Sequence, residues 1–205
     1  MAVLRKAIAA GIALSAIAAT PAHALTATGL NCNNGNVMTS GFSPNALACS
    51  GAWEGNDTPQ QAELLAQLEL DFASVLGADA TFTVLGKSDD GDNGPFTANP
   101  NNATSGTLTF DSAITGFFAI SLKAADAFSV YLFDGGDAGL SSVNFSTLGV
   151  SVNPNGQAQG LSHATLIDVN GGPVTTPIPE PGTYALMLAG LGVVGFMARR
   201  RRADF

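Results

Sequence analysis

The catalytic candidates in this 205-residue chain are a histidine and a pair of carboxylates. His23 lies in a segment that is expected to be removed, so His163 is the histidine that could act as a general base. A serine hydrolase arrangement would pair His163 with Ser162 or Ser141 as the nucleophile and with Asp168 as the orienting acid. No nucleophile-elbow motif accompanies these residues, and a structural histidine is therefore the favoured interpretation.

A glycosidase would instead need two carboxylates about 5 to 10 Å apart. Glu54 and Asp57 are the candidate pair, but both precede a predicted helix, whose N-terminus their charge would complement. Trp53, the sole tryptophan, could stack on a sugar ring, although a core or disulfide-covering role is favoured. We expect no catalytic residues, with an envelope glycan hydrolase or lyase as the alternative function.

An aspartate-rich loop at residues 88–94 is the candidate metal site. Asp89, Asp90 and Asp92 offer the hard oxygen ligands that suit a weak extracellular calcium site. The loop is not an EF-hand, because the twelfth position counted from Asp90 is Asn101, where a bidentate Glu is required. A solvated loop whose Asp, Asn and Gly residues make turns is the other interpretation. No further cofactor is expected.

The two cysteines, Cys32 and Cys49, lie in the part of the chain that is expected to be exported. An even number of cysteines in an oxidising compartment favours a disulfide between them. Two free thiols are the alternative, because metal ligation would need a further ligand that the chain does not supply.

One helix has clear start signals. Thr58 and Gln61 fit a capping box, Pro59 suits the first helical position, and the helix is predicted to end near Asp71. Leu65, Leu68 and Phe72 are expected on its buried face.

Short segments with alternating hydrophobicity and turn-forming boundaries follow the helix. The predicted strands are Thr81–Leu85, Gly106–Phe110, Gly116–Lys123, Phe128–Phe133, Val143–Val152 and Ser162–Val169. So many strands with one short helix predict an all-β exported domain, an antiparallel β-sandwich or jelly-roll, spanning residues 25–176.

The charge of this predicted domain excludes one class of partner. Two lysines, Lys87 and Lys123, stand against fourteen acidic residues, which gives a net charge of −12 at pH 7. Such a domain repels phosphate backbones and lacks a basic patch, so no nucleic-acid partner is expected.

The first 24 residues are predicted to be a cleaved secretory signal. Arg5 and Lys6 precede an apolar segment, Ala7–Ala19, and the sequence Ala22-His23-Ala24 fits a cleavage site. An N-terminal membrane anchor is less favoured, because the apolar segment is shorter than the ~20 residues a span needs.

The C-terminal residues 177–205 form a second addressing segment. Gly182–Ala198 contains 17 residues without a charge. At ~1.5 Å per residue this segment can just cross a hydrocarbon core as a single transmembrane helix. The four arginines that follow are expected to stay in the cytoplasm, which places the preceding domain outside. The cluster is Arg199, Arg200, Arg201 and Arg202.

The sequence Pro179-Glu180-Pro181 precedes this apolar segment directly. Pro-Glu-Pro, an apolar helix and a terminal arginine cluster, in that order, resemble a PEP-CTERM sorting signal. The resemblance implies that these residues are recognised by an exosortase, a membrane transpeptidase that cuts near Pro-Glu-Pro. It implies a cell-envelope or extracellular-matrix location after a transient stay in the inner membrane, and an association with exopolysaccharide and biofilm. A permanently anchored surface protein, with the tail uncut, remains the alternative.

A looser resemblance covers Gly116–Val169. The sequences GFFAISLKAADAFSVYLFDGG and LSHATLIDV are similar to those of the β-sandwich domains found ahead of PEP-CTERM tails. This resemblance implies a fold and an envelope setting, and no defined ligand.

Overall fold

The computed structural model of the protein describes residues 24–58 and 61–172. The expected signal peptide, apart from Ala24, lies outside these residues, and so does the whole predicted sorting tail. Within the described residues, no helix is long and apolar enough to cross a membrane.

The described residues form seven strands and three short helices. The strands are β1 (Ala48–Glu54), β2 (Thr81–Lys87), β3 (Ser105–Ile114), β4 (Phe117–Ala124), β5 (Ala127–Asp134), β6 (Leu140–Ser146) and β7 (Leu161–Asn170). The helices are α1 (Val37–Ser40), α2 (Gln61–Asp71) and α3 (Ala73–Leu76). Turns of 3-10 helix occupy Asn34–Asn36 and Gly91–Asn93.

The strands form two antiparallel sheets. Five strands make one sheet in the order β1-β5-β4-β7-β2, and β3 pairs with β6 in the other. This sandwich-like arrangement confirms the predicted all-β fold class.

The first hydrophobic core lies between the two sheets. Alternate residues of β4 and β5, including Phe118 and Phe133, point into it, and their rings stack with centroids 5.4 Å apart. Phe110 of β3 meets Phe118 edge to face at 5.6 Å, which joins the small sheet to the large one.

A second core lies on the other face of the large sheet. Leu64, Leu68 and Phe72 of the α2 region pack there with Phe128, Val130 and Leu132 of β5. Central strands β4 and β5 are therefore buried on both faces, which explains why their sequences are almost continuously apolar. Leu68 and Phe72 are buried as predicted, whereas Leu64 is fully buried where Leu65 was expected, and Leu65 is only partly buried.

The six predicted strands correspond to β2 through β7, with two differences. Strand β6 ends at Ser146 rather than Val152 because the chain turns there. The Val150 N–H donates to the Thr147 carbonyl in this turn. The Thr147 hydroxyl hydrogen-bonds to the carbonyls of Thr104 and Gln159. Strand β1, which the sequence did not predict, pairs with β5 at the edge of the large sheet.

Candidate functional site

A buried carboxylate on the loop between β1 and α2 is the centre of the polar cluster that we consider as the candidate site. Asp57 is 3% exposed. Its Oδ1 atom lies 2.9 Å from His163 Nε2, and its Oδ2 atom accepts a hydrogen bond from the Thr165 hydroxyl at 2.7 Å. The carboxylate thus fixes this loop to strand β7.

Strand pairing explains why the receiving surface is polar. His163 and Thr165 alternate along β7, so they point to the same face of the sheet. Across the strand pair, His163 lies opposite Lys123 and Thr165 lies opposite Ser121, both on β4. Four polar side chains thereby occupy one patch of an otherwise apolar face, and Asp57 covers it.

Ser121 and Lys123 complete the surroundings of Asp57. Among the described side chains, Ser121 Oγ is the buried polar atom without a hydrogen bond of standard geometry. The Lys123 ammonium donates to the Ala125 carbonyl. Burial lowers the pKa of Lys123, and the negative charges of Asp126 and Asp57 oppose that shift.

A second carboxylate approaches His163 from the opposite side. Asp89 Oδ2 lies 3.4 Å from His163 Nδ1, and Asp89 Oδ1 lies 3.3 Å from the Lys87 ammonium. His163 therefore lies between a buried aspartate and an exposed one. It links the loop before α2 to the loop after β2.

The environment of Asp57 determines its ionisation. Burial alone would raise the pKa of this carboxyl. The hydrogen bond and charge of His163, followed by the hydroxyls of Thr165 and Ser121, outweigh burial and hold the pKa of Asp57 below its usual range. Asp57 is therefore a carboxylate at neutral pH, an acceptor held by its neighbours rather than a proton donor.

The structure does not assemble the candidate serine triad. Asp168 is an odd number of residues from His163 along β7, so it points to the opposite face of the sheet, where it accepts a hydrogen bond from Asn170. Ser162 is exposed beside the bulge next to His163, and Ser141 is exposed on the other sheet. The acids next to His163 are Asp57, which was expected to complement a helix N-terminus, and Asp89, which was expected to be a calcium ligand.

The candidate carboxylate pair is also divided between two environments. Glu54 is exposed and lines an open concavity of about 750 Å³ together with Lys123 and Asp126. Asp57 is buried beneath its loop, next to a cavity of about 110 Å³. A cavity of that size has little room for a sugar ring.

The aspartates of the 88–94 loop serve local contacts. Asp89 contacts Lys87 and His163, and Asp90 Oδ2 accepts a hydrogen bond from the Lys87 backbone N–H at 2.7 Å. Asp92 lies within the 3-10 turn. In residues 24–58 and 61–172, no three acidic, histidine or cysteine side chains converge as metal ligands. Calcium binding by Asp89, Asp90 and Asp92 stays a prediction.

Cys32 and Cys49 form a disulfide, as predicted, with Cα atoms 6.1 Å apart. The bond ties the N-terminal segment of the domain to β1. Beside it, Trp53 is partly buried and packs against the second core, and its indole N–H donates to the Ser50 hydroxyl.

Comparison with known proteins adds one match at the end of the chain. The model of the PEP-CTERM protein-sorting motif matches residues 177–202. The chain carries a PEP-CTERM sorting motif. No curated protein and no solved structure matches the chain.

The PEP-CTERM match includes every residue predicted for the sorting signal. Pro179, Glu180 and Pro181 lie near its start, and Arg199 to Arg202 form its end. The motif identifies an exosortase substrate, a protein that is exported and passes through a membrane. These residues lie outside the described part of the structure.

The PEP-CTERM motif follows the folded domain closely. Strand β7 ends at Asn170, and the motif begins at residue 177. The six residues between them span at most about 20 Å when fully extended. The start of the motif is therefore limited to a short distance from the end of β7.

Proposed function

We propose that this protein is an exported, non-catalytic component of the cell envelope or extracellular matrix, released from the inner membrane when an exosortase cuts its tail. The observation that supports this function best is the PEP-CTERM motif at residues 177–202. In this proposal the folded domain is the part that is delivered, and the tail is the sorting signal.

The composition of the tail supports a stage in which the exported chain stays anchored in the membrane before the exosortase cuts it. Seventeen uncharged residues, Gly182–Ala198, precede four arginines. Moving those cations through the bilayer is unfavourable, so export stops there with the domain outside. Three prolines in residues 177–181 disfavour helix and sheet. We expect a segment of this composition to be open to the exosortase.

A non-catalytic role fits the burial of the polar cluster. His163 is 5% exposed and Asp57 3% exposed, and both are occupied by contacts that link loops to strands. A general base must come within hydrogen-bond reach of its substrate. We assign this cluster to the stability of the domain.

Matrix association is proposed from the tail and from the charge of the domain. The net charge of −12 for residues 25–176 keeps copies apart and soluble during export. It also disfavours anionic polymers unless a cation bridges them. Neutral extracellular polysaccharide is therefore the preferred partner.

The test compares the location of the protein in its host with and without the exosortase. We expect the wild type to leave the inner membrane only when the exosortase is present. The double variant Pro179→Ala/Glu180→Ala should remain there in both strains. Asp204→Asn, an acidic tail residue outside the matched range, should behave like the wild type. Release of the double variant at the wild-type rate would contradict the proposal.

A glycan hydrolase or lyase is the second candidate, and the His163–Asp57 pair is the observation that favours it. It predicts release of new sugar ends from host envelope glycan by the purified full chain. Our proposal predicts no such release. Turnover that is lost in Glu54→Gln or His163→Gln, with folding retained, would replace the proposed function with the enzyme.

A further inference from the structure

An open concavity beside the disulfide has features of a ligand site. It has a volume of about 570 Å³ and lies between residues 27–32 and strand β1. Its walls include Trp53, Asp71, Ser50, Asn31 and the Cys32–Cys49 bridge. Small-molecule sites in proteins commonly have volumes of about 300 to 1,000 Å³.

The walls of this concavity are held in place by covalent and backbone bonds. The disulfide joins its two sides. Thr28 N–H donates to the Ala52 carbonyl at 3.0 Å, and Ala52 N–H donates to the Leu30 carbonyl at 3.2 Å. A ligand would therefore meet a preformed surface, which reduces the entropy cost of binding.

A chain of hydrogen bonds fixes the two side chains with most binding potential. Trp53 Nε1 donates to Ser50 Oγ at 3.1 Å, and Ser50 Oγ donates to Asp71 Oδ2 at 2.6 Å. Gln67 Nε2 donates to Asp71 Oδ1 at 2.8 Å. The indole N–H is thus already used, so the exposed part of the aromatic ring is what Trp53 offers a ligand, while the rest packs against the second core.

Asp71 retains capacity to accept further hydrogen bonds. An ionised carboxylate has about four acceptor positions. Ser50 and Gln67 use one on each oxygen, and the Asp71 residue is exposed. A ligand that donates from hydroxyl groups can use the remaining positions.

The charge of the lining selects among hydroxyl-rich ligands. Among the described residues that form these walls, Asp71 is the ionisable side chain, and none is a lysine, arginine or histidine. Residues 25–176 as a whole, Asp71 included, carry a net charge of −12. Uronic acids and sulfated sugars would therefore be repelled, whereas uncharged sugars would not.

We propose that the concavity lined by Trp53 and Asp71 binds a neutral sugar unit of an extracellular polysaccharide. The apolar face of the sugar ring packs on the indole, and its hydroxyls donate to the Asp71 carboxylate. This inference rests on the proposed function, because it names the partner of the exported domain. It gives the sole tryptophan a role at the surface.

The fluorescence of Trp53 can be used to measure sugar binding. Trp53 is the only tryptophan in the chain, so under folding conditions the tryptophan fluorescence of the full chain in detergent micelles comes from a wall of this concavity. We expect neutral glucan hexasaccharides with α-1,4, β-1,4 or β-1,3 linkages to shift the emission in a saturable way, for at least one linkage. An alginate hexasaccharide should leave it unchanged.

Variants separate binding from folding. Asp71→Asn keeps the reporter and should weaken binding about tenfold, because it removes a charged acceptor. Asp111→Asn, an exposed carboxylate outside the concavity, should bind like the wild type. Trp53→Ala, measured by calorimetry, should lose binding while an unchanged far-ultraviolet circular dichroism spectrum shows that it folds.

Two results would contradict the proposed sugar site. One is the absence of any saturable change with all three neutral glucans at millimolar concentration. The other is equal binding by wild type and Asp71→Asn. The proposed function fails separately, through a tail that the exosortase does not cut, so a failed titration with a correctly cut tail would remove only the sugar site.

Discussion

His163 Nε2 lies 2.9 Å from Asp57 Oδ1, although 106 positions separate the two residues in the chain. This contact joins the loop before α2 to strand β7 inside the domain. Both side chains are almost fully buried. The pair therefore contributes to stability. Removing Asp57 should leave the buried His163 with only its longer contact to the exposed Asp89.

Replacing Asp57 tests this relationship. Asp57→Ala should lower the free energy of unfolding by about 3 kcal/mol, because His163 and Thr165 lose their acceptor. Urea unfolding of the full chain in detergent micelles, followed by Trp53 fluorescence, measures the change. Asp111→Ala removes an exposed carboxylate and should change the free energy by less than about 0.5 kcal/mol. Equal losses in the two variants would show that the buried contact contributes nothing specific.

The pH dependence of stability follows from the lowered pKa of Asp57. The unfolded carboxyl titrates near its ordinary pKa of 3.8, and the folded one titrates below it. The stabilisation by Asp57 is thus fully present above the unfolded pKa, and it is lost as the pH falls through the folded pKa. Urea unfolding at a series of pH values from neutral to about 2 measures this loss.

Asp57→Asn provides the reference for that pH series. The other carboxylates are common to both proteins, so the difference in unfolding free energy between wild type and Asp57→Asn isolates Asp57. This difference should shrink as the medium becomes acidic. A difference that stays constant down to the lowest pH would mean that the Asp57 carboxyl has the same pKa in both states.

The disulfide should supply a stabilisation of similar size. Cys32 and Cys49 are 17 positions apart, and a loop of that length predicts about 3 kcal/mol in the chain-entropy account. The Cys32→Ser/Cys49→Ser variant should lose this amount in urea unfolding. Adding a reductant should lower the stability of the wild type to that of the variant and should not affect the variant itself. A reductant effect on both proteins would show that the effect does not come from this bond.

Tyr131 ties the first core to the disulfide region. Its side chain is fully buried, and its hydroxyl donates to the Cys32 carbonyl at 3.0 Å. Tyr131→Phe keeps the ring but leaves that carbonyl without this donor, so the free energy of unfolding should fall by about 1 kcal/mol. In the Cys32→Ser/Cys49→Ser background the loss should be smaller, because the segment is less constrained. An unchanged unfolding free energy in Tyr131→Phe would contradict a stabilising role for this hydrogen bond.

The sequence predicted most of the strands because short segments rich in β-branched and aromatic residues, bounded by turn-forming residues, are typical of strands. It missed β1, whose residues Ala48, Cys49, Ser50 and Gly51 are small and show no alternation of large apolar side chains. That strand forms through pairing with β5 and through the disulfide, which are contacts distant in sequence. Residues 147–152 after β6 were predicted as strand because local β propensity alone does not show where the hydrogen-bond partners of a strand end.

The polar cluster could be predicted only in part. His163 stands out in the sequence, but its partner depends on which loop covers the β4–β7 face. Asp168 is closer in the chain and points to the opposite face, whereas Asp57 is 106 positions away and in contact. The available signal was the polar alternation of Ser121 with Lys123 and of His163 with Thr165 within apolar strands, which indicates a buried polar patch that needs a partner.

The mass of the intact protein recovered from its native host tests the central claim, that the PEP-CTERM tail is a signal to be cut. We predict a chain that begins at Leu25 and has lost everything after about Glu180, with any added group attached at the new C-terminus. In a strain without the exosortase, the tail should persist. A protein from the wild-type host whose mass still includes Phe205 would contradict the account.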